Sequence, residues 1–454
     1  MQLNLKRPSM ARFTLIVAGV SLQLGLPGIA SAQDNAAMEL TLSQAIDLAL
    51  KQNQSLKMAQ LSVVESEQKK KIARSDYFPQ IGNQSSAFHL TEIQQLLIPE
   101  GSLGPGNPPK TADIGQGTFT AYTSGTGLSQ DLTKMFKTHQ ETRAATADIN
   151  SAKIQVKQAE DDIALKVRQL YYEILIAQLQ REAAKQGEDA AQVKFQENTS
   201  SVEQGSALEV AALQSHAELL SAKEAVLAQD LQIRDLTFEL NHLLGLPLRT
   251  QLQLREESSA AAEPIPARDE CVRTAREQSP RIRAAQQAVE KARAELAATK
   301  DSYIPDVSGF ARYSYQSGIP FLVHNFGQFG VFFTYDLFDG GRRNAEISES
   351  RTMLSQAKLN LADVEEEVTV QVETAYDKVE QMQSLVTAAE ESLKAQTEAT
   401  RVAELQVEQN EALASARAEA AAKMSSAKAS LLEANLGLSL AQGELKRAMG
   451  EIPR

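Results

Sequence analysis

Tryptophan is absent from these 454 residues, aromatic side chains amount to 5%, and cysteine occurs once, as Cys271. A lone cysteine rules out an internal disulfide and a thiolate metal cluster. Cys271 sits beside Val272 in a helical stretch and reads as a small packing residue. The five histidines, His89, His139, His216, His242 and His324, include no i, i+4 pair, and the nine methionines do not cluster. A defined metal site or a copper relay is therefore disfavoured, and no cofactor is implied. No nucleophile, base and orienting acid come together in any motif, which argues against an enzyme. Positive charge is also scarce: 46 Lys and Arg face 58 Asp and Glu, a net of −12. Nucleic-acid binding needs basic stripes, so it is disfavoured. Beyond the first thirty residues no apolar run approaches the ~20 that a spanning helix needs. Any passage through a membrane has to use strands.

What is present begins at the N-terminus. Lys6, Arg7 and Arg12 lead into an apolar run from Phe13 to Ile29, followed by Ala30-Ser31-Ala32. This order predicts a signal peptide, residues 1–32, cleaved near Ala32. No cysteine follows that site, so lipidation there is not expected. Removal takes three basic residues and no acidic one, which moves the net charge from −12 to −15.

The remaining chain is written twice. At an offset of 226 residues, Ser55–Ile81 falls on Arg281–Val307, with Tyr77 and Pro79 meeting Tyr303 and Pro305. At an offset of 205, Leu132 falls on Leu337, Tyr171 on Tyr376 and Gly245 on Gly450. The apolar seam Ile163, Val167, Leu170, Ile174 likewise overlies Val368, Val372, Ala375, Val379. The predicted repeats are 33–263 and 264–454.

Each repeat reads in one order. A helix comes first, 43–77 or 267–302, ended by Pro79 or Pro305 at a helix-to-strand junction. Thr41 with Gln44 resembles a capping box for the first helix. Strands are predicted at 80–94 and 117–129, around a Pro- and Gly-rich loop, and at 306–317 and 328–338. Val331, Phe333, Tyr335 and Leu337 alternate, the period-2 pattern of a strand. Phe310, Tyr313, Tyr315, Phe326, Phe329, Phe332, Phe333 and Tyr335 are candidates for interfacial girdles, with ordinary sheet packing as the plainer reading. Gly340-Gly341 precedes Arg342-Arg343 without a G-x-x-x-x-G-K pattern, so it reads as a strand-to-helix junction and not an anion cradle.

Long helices follow at 133–200 and 340–405, their apolar positions stepping by 4 and 3 in the coiled-coil rhythm. At 1.5 Å per residue each spans on the order of 100 Å. Tight turns at Gly205 and Asn410, residue types that tolerate the left-handed region, reverse the chain into helices 207–243 and 412–448. The helices 207–243 and 267–302 together match one long helix and are predicted to stack end to end beside it. All strands then lie at one end of a rod and both tight turns at the other. Alanines such as Ala414, Ala416, Ala418, Ala420, Ala421 and Ala422 bury little area each, so helix packing is expected to be shared between chains.

Four strands do not close a sheet, and open edges are not tolerated in lipid. A barrel has to be pooled. Two chains give eight strands, whose interior side chains would fill; three give twelve, enough for a water-filled passage.

The mature sequence resembles the TolC-like outer-membrane efflux proteins over essentially its whole length. The resemblance is carried by LTLSQAIDLALKQN (Leu40–Asn53), the YFPQI and YIPDV junctions, DLFDGGRRNAE (Asp336–Glu346), the two tip turns, and the closing LNHLLG and LKRAMG. It implies a mainly α chain with a membrane β-barrel, built from duplicated helix–β-hairpin–long helix–helix halves. A homotrimer would form a 12-stranded barrel on a long α-helical barrel. It further implies a passive outer-membrane channel of a tripartite efflux or type I secretion system. Its helices would stand in the periplasm of a Gram-negative bacterium, its barrel in outer-membrane lipid. Partners would be a periplasmic adaptor, docking at the Gly205 and Asn410 turns, and an inner-membrane pump.

The family's inner gate has an aromatic residue, an arginine and two aspartates around the second turn. The matching positions here are Val407, Ala412, Ala416 and Glu419, and the turn glycine is Asn410. Only Glu419 keeps a carboxylate, so a three-fold Glu419 ring is the candidate cation filter; a solvated glutamate beside Arg417 and Lys423 is the plainer reading. The rival from another class is a periplasmic coiled-coil scaffold or membrane-fusion-type adaptor. The duplicated helix–hairpin–helix order speaks against it, since an adaptor needs one helical hairpin and compact β-domains.

Overall fold

The computed structural model describes residues 38–93, 95–115, 118–255, 265–318 and 323–451. The expected signal peptide and the repeat boundary at 263/264 lie outside the described residues. In chain order the elements are β1 (Met38–Leu40), α1 (Leu42–Gln52), α2 (Gln54–Ser75), β2 (Gln80–His89), β3 (Gln95–Ile98), β4 (Ala112–Gly115), β5 (Thr120–Asp131), α3 (Lys134–Glu203) and α4 (Glu209–Leu244). Then come β6 (Leu252–Leu254), α5 (Arg268–Gln278), α6 (Pro280–Lys300), β7 (Asp306–Ser317), β8 (Asn325–Thr334), α7 (Arg342–Glu408) and α8 (Ala414–Ala448).

The two long helices organise the rest. Neither α3 nor α7 contains proline, and only Gly187 interrupts their helix formers, so each continues for about 100 Å at 1.5 Å per residue. Towards the strands α3 is flanked by α2 and α6, and α6 is flanked in turn by α7. Towards the turns α3 is flanked by α4 and α8, and α8 by α7. Polar links mark both tiers. Lys291 meets Asp148 between α6 and α3, Lys194 meets Glu218 between α3 and α4, and Thr400 donates to the Ala420 carbonyl between α7 and α8. The sheet repeats this lateral order as β2-β5-β7-β8, antiparallel throughout.

Two apolar cores sit at mid-length, and residues related by the same two offsets fill both. Ala45, Ala49, Leu56, Ile163, Val167, Ile174, Leu240 and Leu244 lie in one. Their counterparts Cys271, Ala275, Ile282, Val368, Val372, Val379, Leu445 and Met449 lie in the other. Cys271 is thus a packing residue. Two glycines close these cores in the same way. Gly245 ends α4 in the left-handed region at φ 70° beside Gln52. Gly450, at φ 82°, follows α8 so closely on the end of α5 that a Cβ would lie 2.7 Å from the Gln278 carbonyl. Only glycine combines that dihedral with that approach.

Several expectations are corrected. The helix expected at 43–77 is two helices. Asn53 ends α1, accepts from the amides of Ser55 and Leu56 to start α2, and donates to the Leu243 carbonyl at 3.2 Å. The helix expected at 267–302 breaks at Ser279, because Pro280 bars the preceding residue from helical dihedrals and itself suits the first helical position. The stack expected between 207–243 and 267–302 does not form; α6 instead shares with α8 the space between α3 and α7. The second strand of that half is Asn325–Thr334, not 328–338. The first hairpin is β2 with β5, and the expected strand 80–94 stops at His89, before the separate β3–β4 hairpin in the connecting loop. β1 and β6, not foreseen, pair in parallel. Beneath them Tyr171, 1% exposed, donates to both the Leu40 and Arg255 carbonyls at 3.0 and 2.7 Å.

Candidate functional site

The functional surfaces are the edges, the sheet faces and the two ends. β2 and β8 are the outermost strands, and neither has a hydrogen-bonded partner on its outer side among the described residues. The helices repeat the condition: α2 and α4 form one flank, α7 the other. Both flanks carry apolar side chains in solvent, Leu61, Ile72, Leu213 and Leu227 on the first, Leu359 and Val370 on the second. Exposed apolar side chains repeated along both flanks point to an interface.

Register sorts the sheet into two faces. Ile81, Leu128, Ala311 and Phe329 lie in one row, and Val331, Val307 and Phe333 share their face. Phe329 is 88% exposed. Tyr122, Tyr313 and Tyr315 lie on the same face towards the far end of the strands. An apolar band edged by tyrosines fits an acyl-chain layer and its interface. Asn83, Ser85, Ser124 and Thr126, polar on this face, satisfy one another through hydrogen bonds of 2.8 to 3.3 Å, as lipid requires. The opposite face carries Gln80, Gln84, Ser129, Ser314 and Gln328. Phe310 and Phe332 also lie there, stacked at 4.4 Å. The girdle candidates are therefore divided: Tyr313, Tyr315, Phe329 and Phe333 lie on the apolar face, while Phe310, Phe326 and Phe332 lie on the opposite one. Tyr335 lies beyond the strand, under the Arg343 guanidinium at 4.9 Å.

The strand-to-helix junctions differ between halves. β5 passes into α3 through Leu132-Thr133, whose backbone and side chain bond Val307 at 2.8 Å. β8 reaches α7 through seven residues in which Gly340 and Gly341 take φ 67° and 89°. There Asp339 accepts from the amides of Gly341 and Arg343 at 2.9 and 3.1 Å. Those amides and the Arg343 charge hold its carboxyl below the usual carboxylate range. The opposite junctions place Pro79 directly before β2 and Pro305 directly before β7.

At the other end the two tips share one geometry. Gly205 (φ 71°) and Asn410 (φ 58°) adopt the left-handed region. Ser206 and Ala207 both donate to the Ser201 carbonyl, and Glu411 and Ala412 both donate to that of Gln406. Leu208 and Leu413, extended N-cap residues directly before α4 and α8, are exposed by 80% and 67%. These leucines carry the most apolar surface at the tips and were missed in the sequence; their common offset of 205 is the feature that would have found them. Glu197 of α3 accepts from the Ser415 amide at 3.0 Å, placing a carboxylate at the start of α8. Glu419 is exposed and paired with Lys423 at 2.9 Å, a contact that lowers its carboxyl pKa. Val407, Ala412 and Ala416 lie along the same tip.

A rod with an amphipathic four-stranded sheet at one end, two flanks left open among the described residues and a two-turn tip is the architecture of a chain whose sheet suits lipid. The family model described as "Outer membrane efflux protein" matches residues 45–246 and 271–451. The chain belongs to that family, whose members are outer-membrane transport channels and not enzymes. Among solved structures, CmeC, the outer membrane channel of Campylobacter jejuni, is similar with TM-score 0.75 at 15% identity, over 91% of this chain and 87% of that one. VceC, an outer membrane protein of Vibrio cholerae, gives 0.72 at 16% identity, over 90% and 96%. CusC, described as forming a transmembrane channel, gives 0.71 at 18% identity, over 90% and 92%. At such identities the likeness concerns the fold. No curated protein matches the chain.

Proposed function

We propose that three copies of this chain assemble into a passive conduit from the periplasm through the outer membrane. β8 of each subunit would pair with β2 of the next, giving a 12-stranded barrel; α7 would pack against the neighbouring α2 and α4, continuing it as a helical barrel. The observation that carries this reading is the coincidence of open edges. The strand flanks and helix flanks are unsatisfied on the same two sides, and the helix flanks are apolar. Two chains would supply eight strands, whose lumen side chains fill; three leave a passage.

Within this reading the repeats are 33–263 and 264–454, and residues 1–32 are a signal peptide cleaved near Ala32, with no lipid at the new N-terminus. The Gly205 and Asn410 turns, with Leu208 and Leu413 exposed beside them, dock a periplasmic adaptor that links the conduit to an inner-membrane pump of a tripartite efflux or type I secretion system. Glu419 lines the tip as a three-fold carboxylate ring, partly offset by its pairing with Lys423. Reconstitution of the purified protein in planar bilayers tests the conduit: discrete conductance steps are expected, and a protein that inserts without conducting contradicts it. In the same assay Glu419→Gln should lower cation preference; an unchanged preference removes Glu419 from the filter.

A further inference from the structure

Only three side chains of the four-stranded sheet carry a full charge. Asp131 and Asp306 sit at the strand ends nearest the helices. The third is Arg312, in mid-strand, the single Lys or Arg in β2, β5, β7 and β8. Arg312 is directly opposite Gly127 on one side and Gln328 on the other, so it shares the face of Gln80 and Ser129 and not that of Leu128 and Phe329.

Its guanidinium fills the space left by the missing side chain of Gly125. A Cβ on Gly125 would stand 2.8 and 2.9 Å from two Arg312 nitrogens. Arg312 makes no ion pair or hydrogen bond among the described residues. The acids on its own face do not reach it. Asp306 is six residues away, about 20 Å along a strand, and Asp131 lies opposite Ser308 at the same end. Beside it is a groove of about 530 Å³ whose lining includes Gln80, Gln84, Ser129 and Gln328 together with the rings of Phe310 and Phe332.

A guanidinium pointing into lipid near mid-bilayer costs about 2–4 kcal/mol; in a water-filled barrel the cost disappears and its field acts on whatever passes. We infer that Arg312 is an anion-selective element of the barrel: three guanidinium groups, one per subunit, that receive carboxylate or phosphate groups of passing solutes in this groove. The planar fork of arginine bonds both oxygens of such a group, and the neighbouring Gln80, Gln84 and Gln328 amides are further donors. The inference rests on the pooled-barrel reading. It gives the barrel end a charge preference opposite in sign to that proposed for Glu419 at the tip.

Reversal potentials of single channels in a potassium chloride gradient test it. Arg312→Gln should move the potassium-to-chloride permeability ratio several-fold towards potassium, and Arg312→Lys should stay near the wild-type value. Arg312→His should conduct with a ratio that falls towards chloride between pH 8 and pH 5, beyond any change in wild type; this variant decides the matter if Arg312→Gln forms no pores. Conducting Arg312→Gln or Arg312→His channels with the wild-type ratio and pH response would overturn the anion element and leave the conduit standing. Wild-type protein that never conducts would overturn both.

Discussion

The two long helices share an ancestry in the sequence and nearly a length, 70 residues against 67, yet they live in different surroundings. Fourteen residues of α3 are buried and only five of α7. At positions related by the 205-residue offset both are packed, Val167 and Val372 each fully buried. The contrast arises elsewhere, because α3 has a helix on both sides and α7 on one. The second flank of α7, with Leu359 71% exposed, has no neighbouring element among the described residues, and in the proposed trimer it meets the next subunit. Burial in a duplicated protein thus separates what the repeat needs to fold from what the assembly needs to close.

The sharpest way to break this comparison is to truncate one leucine from each helix. Leu170→Ala empties a fully buried site of α3 and should cost about 2–5 kcal/mol in chemical unfolding. Leu359→Ala should change the unfolding of dissociated subunits by no more than about 0.5 kcal/mol while weakening the assembled particle. Equal losses in dissociated subunits would remove the distinction.

Asp161 gives the next effect. It is buried on α3, one carboxylate oxygen has no hydrogen-bond partner, and burial pushes its pKa up to about 6 despite Lys157 and Arg447 nearby. The folded state therefore holds this proton more tightly than the unfolded chain, whose carboxyl titrates near 3.8. This group's contribution is most favourable below pH 3.8 and declines as pH rises to about 6. Asp161→Asn should raise the thermal midpoint at pH 7 and remove the decline between pH 4 and pH 6. A variant with the wild-type pH profile would show that Asp161 is solvated.

The smallest effects compare the tips. Gly205→Ala places a Cβ at φ 71° and should cost about 1–2 kcal/mol. Asn410→Gly at φ 58° should be neutral or stabilise by a few tenths, since asparagine already tolerates that region. Hydrogen exchange of the amides on either side of each turn reads both. A larger response at Asn410 would mean that its side chain has a role beyond the turn.

How much of this was legible follows periodicity and punctuation. The 3-and-4 stepping of Ile163, Val167, Leu170 and Ile174 fixed the face of α3 that is buried, and the period-2 run through Val331 and Phe333 fixed the face of β8. Pro280 also announced the end of α5, since the residue before a proline avoids helical dihedrals; the expected single helix ignored it. The β1–β6 pair was not legible. Three-residue strands carry no period, and they are held by Tyr171, 131 residues from Leu40. The contact of Arg312 with Gly125 was hidden for a similar reason. Gly125 and Arg312 are far apart in the chain, and only the register of β5 on β7 brings them together. The seat of Glu419 followed from its helix, but its pairing with Lys423 four residues on shows that a carboxylate at a gate position need not act as a free charge.

Completion of one chain's flanks by two others fixes the native mass of the particle, and that mass is the decisive measurement. Processed protein extracted from the outer membrane in mild detergent should have the mass of three chains, with Leu359→Arg moving it towards one. A wild-type monomer or dimer that stays in solution without detergent would contradict the account, because its β2 and β8 edges and its Phe329 face would then never meet a neighbour or lipid.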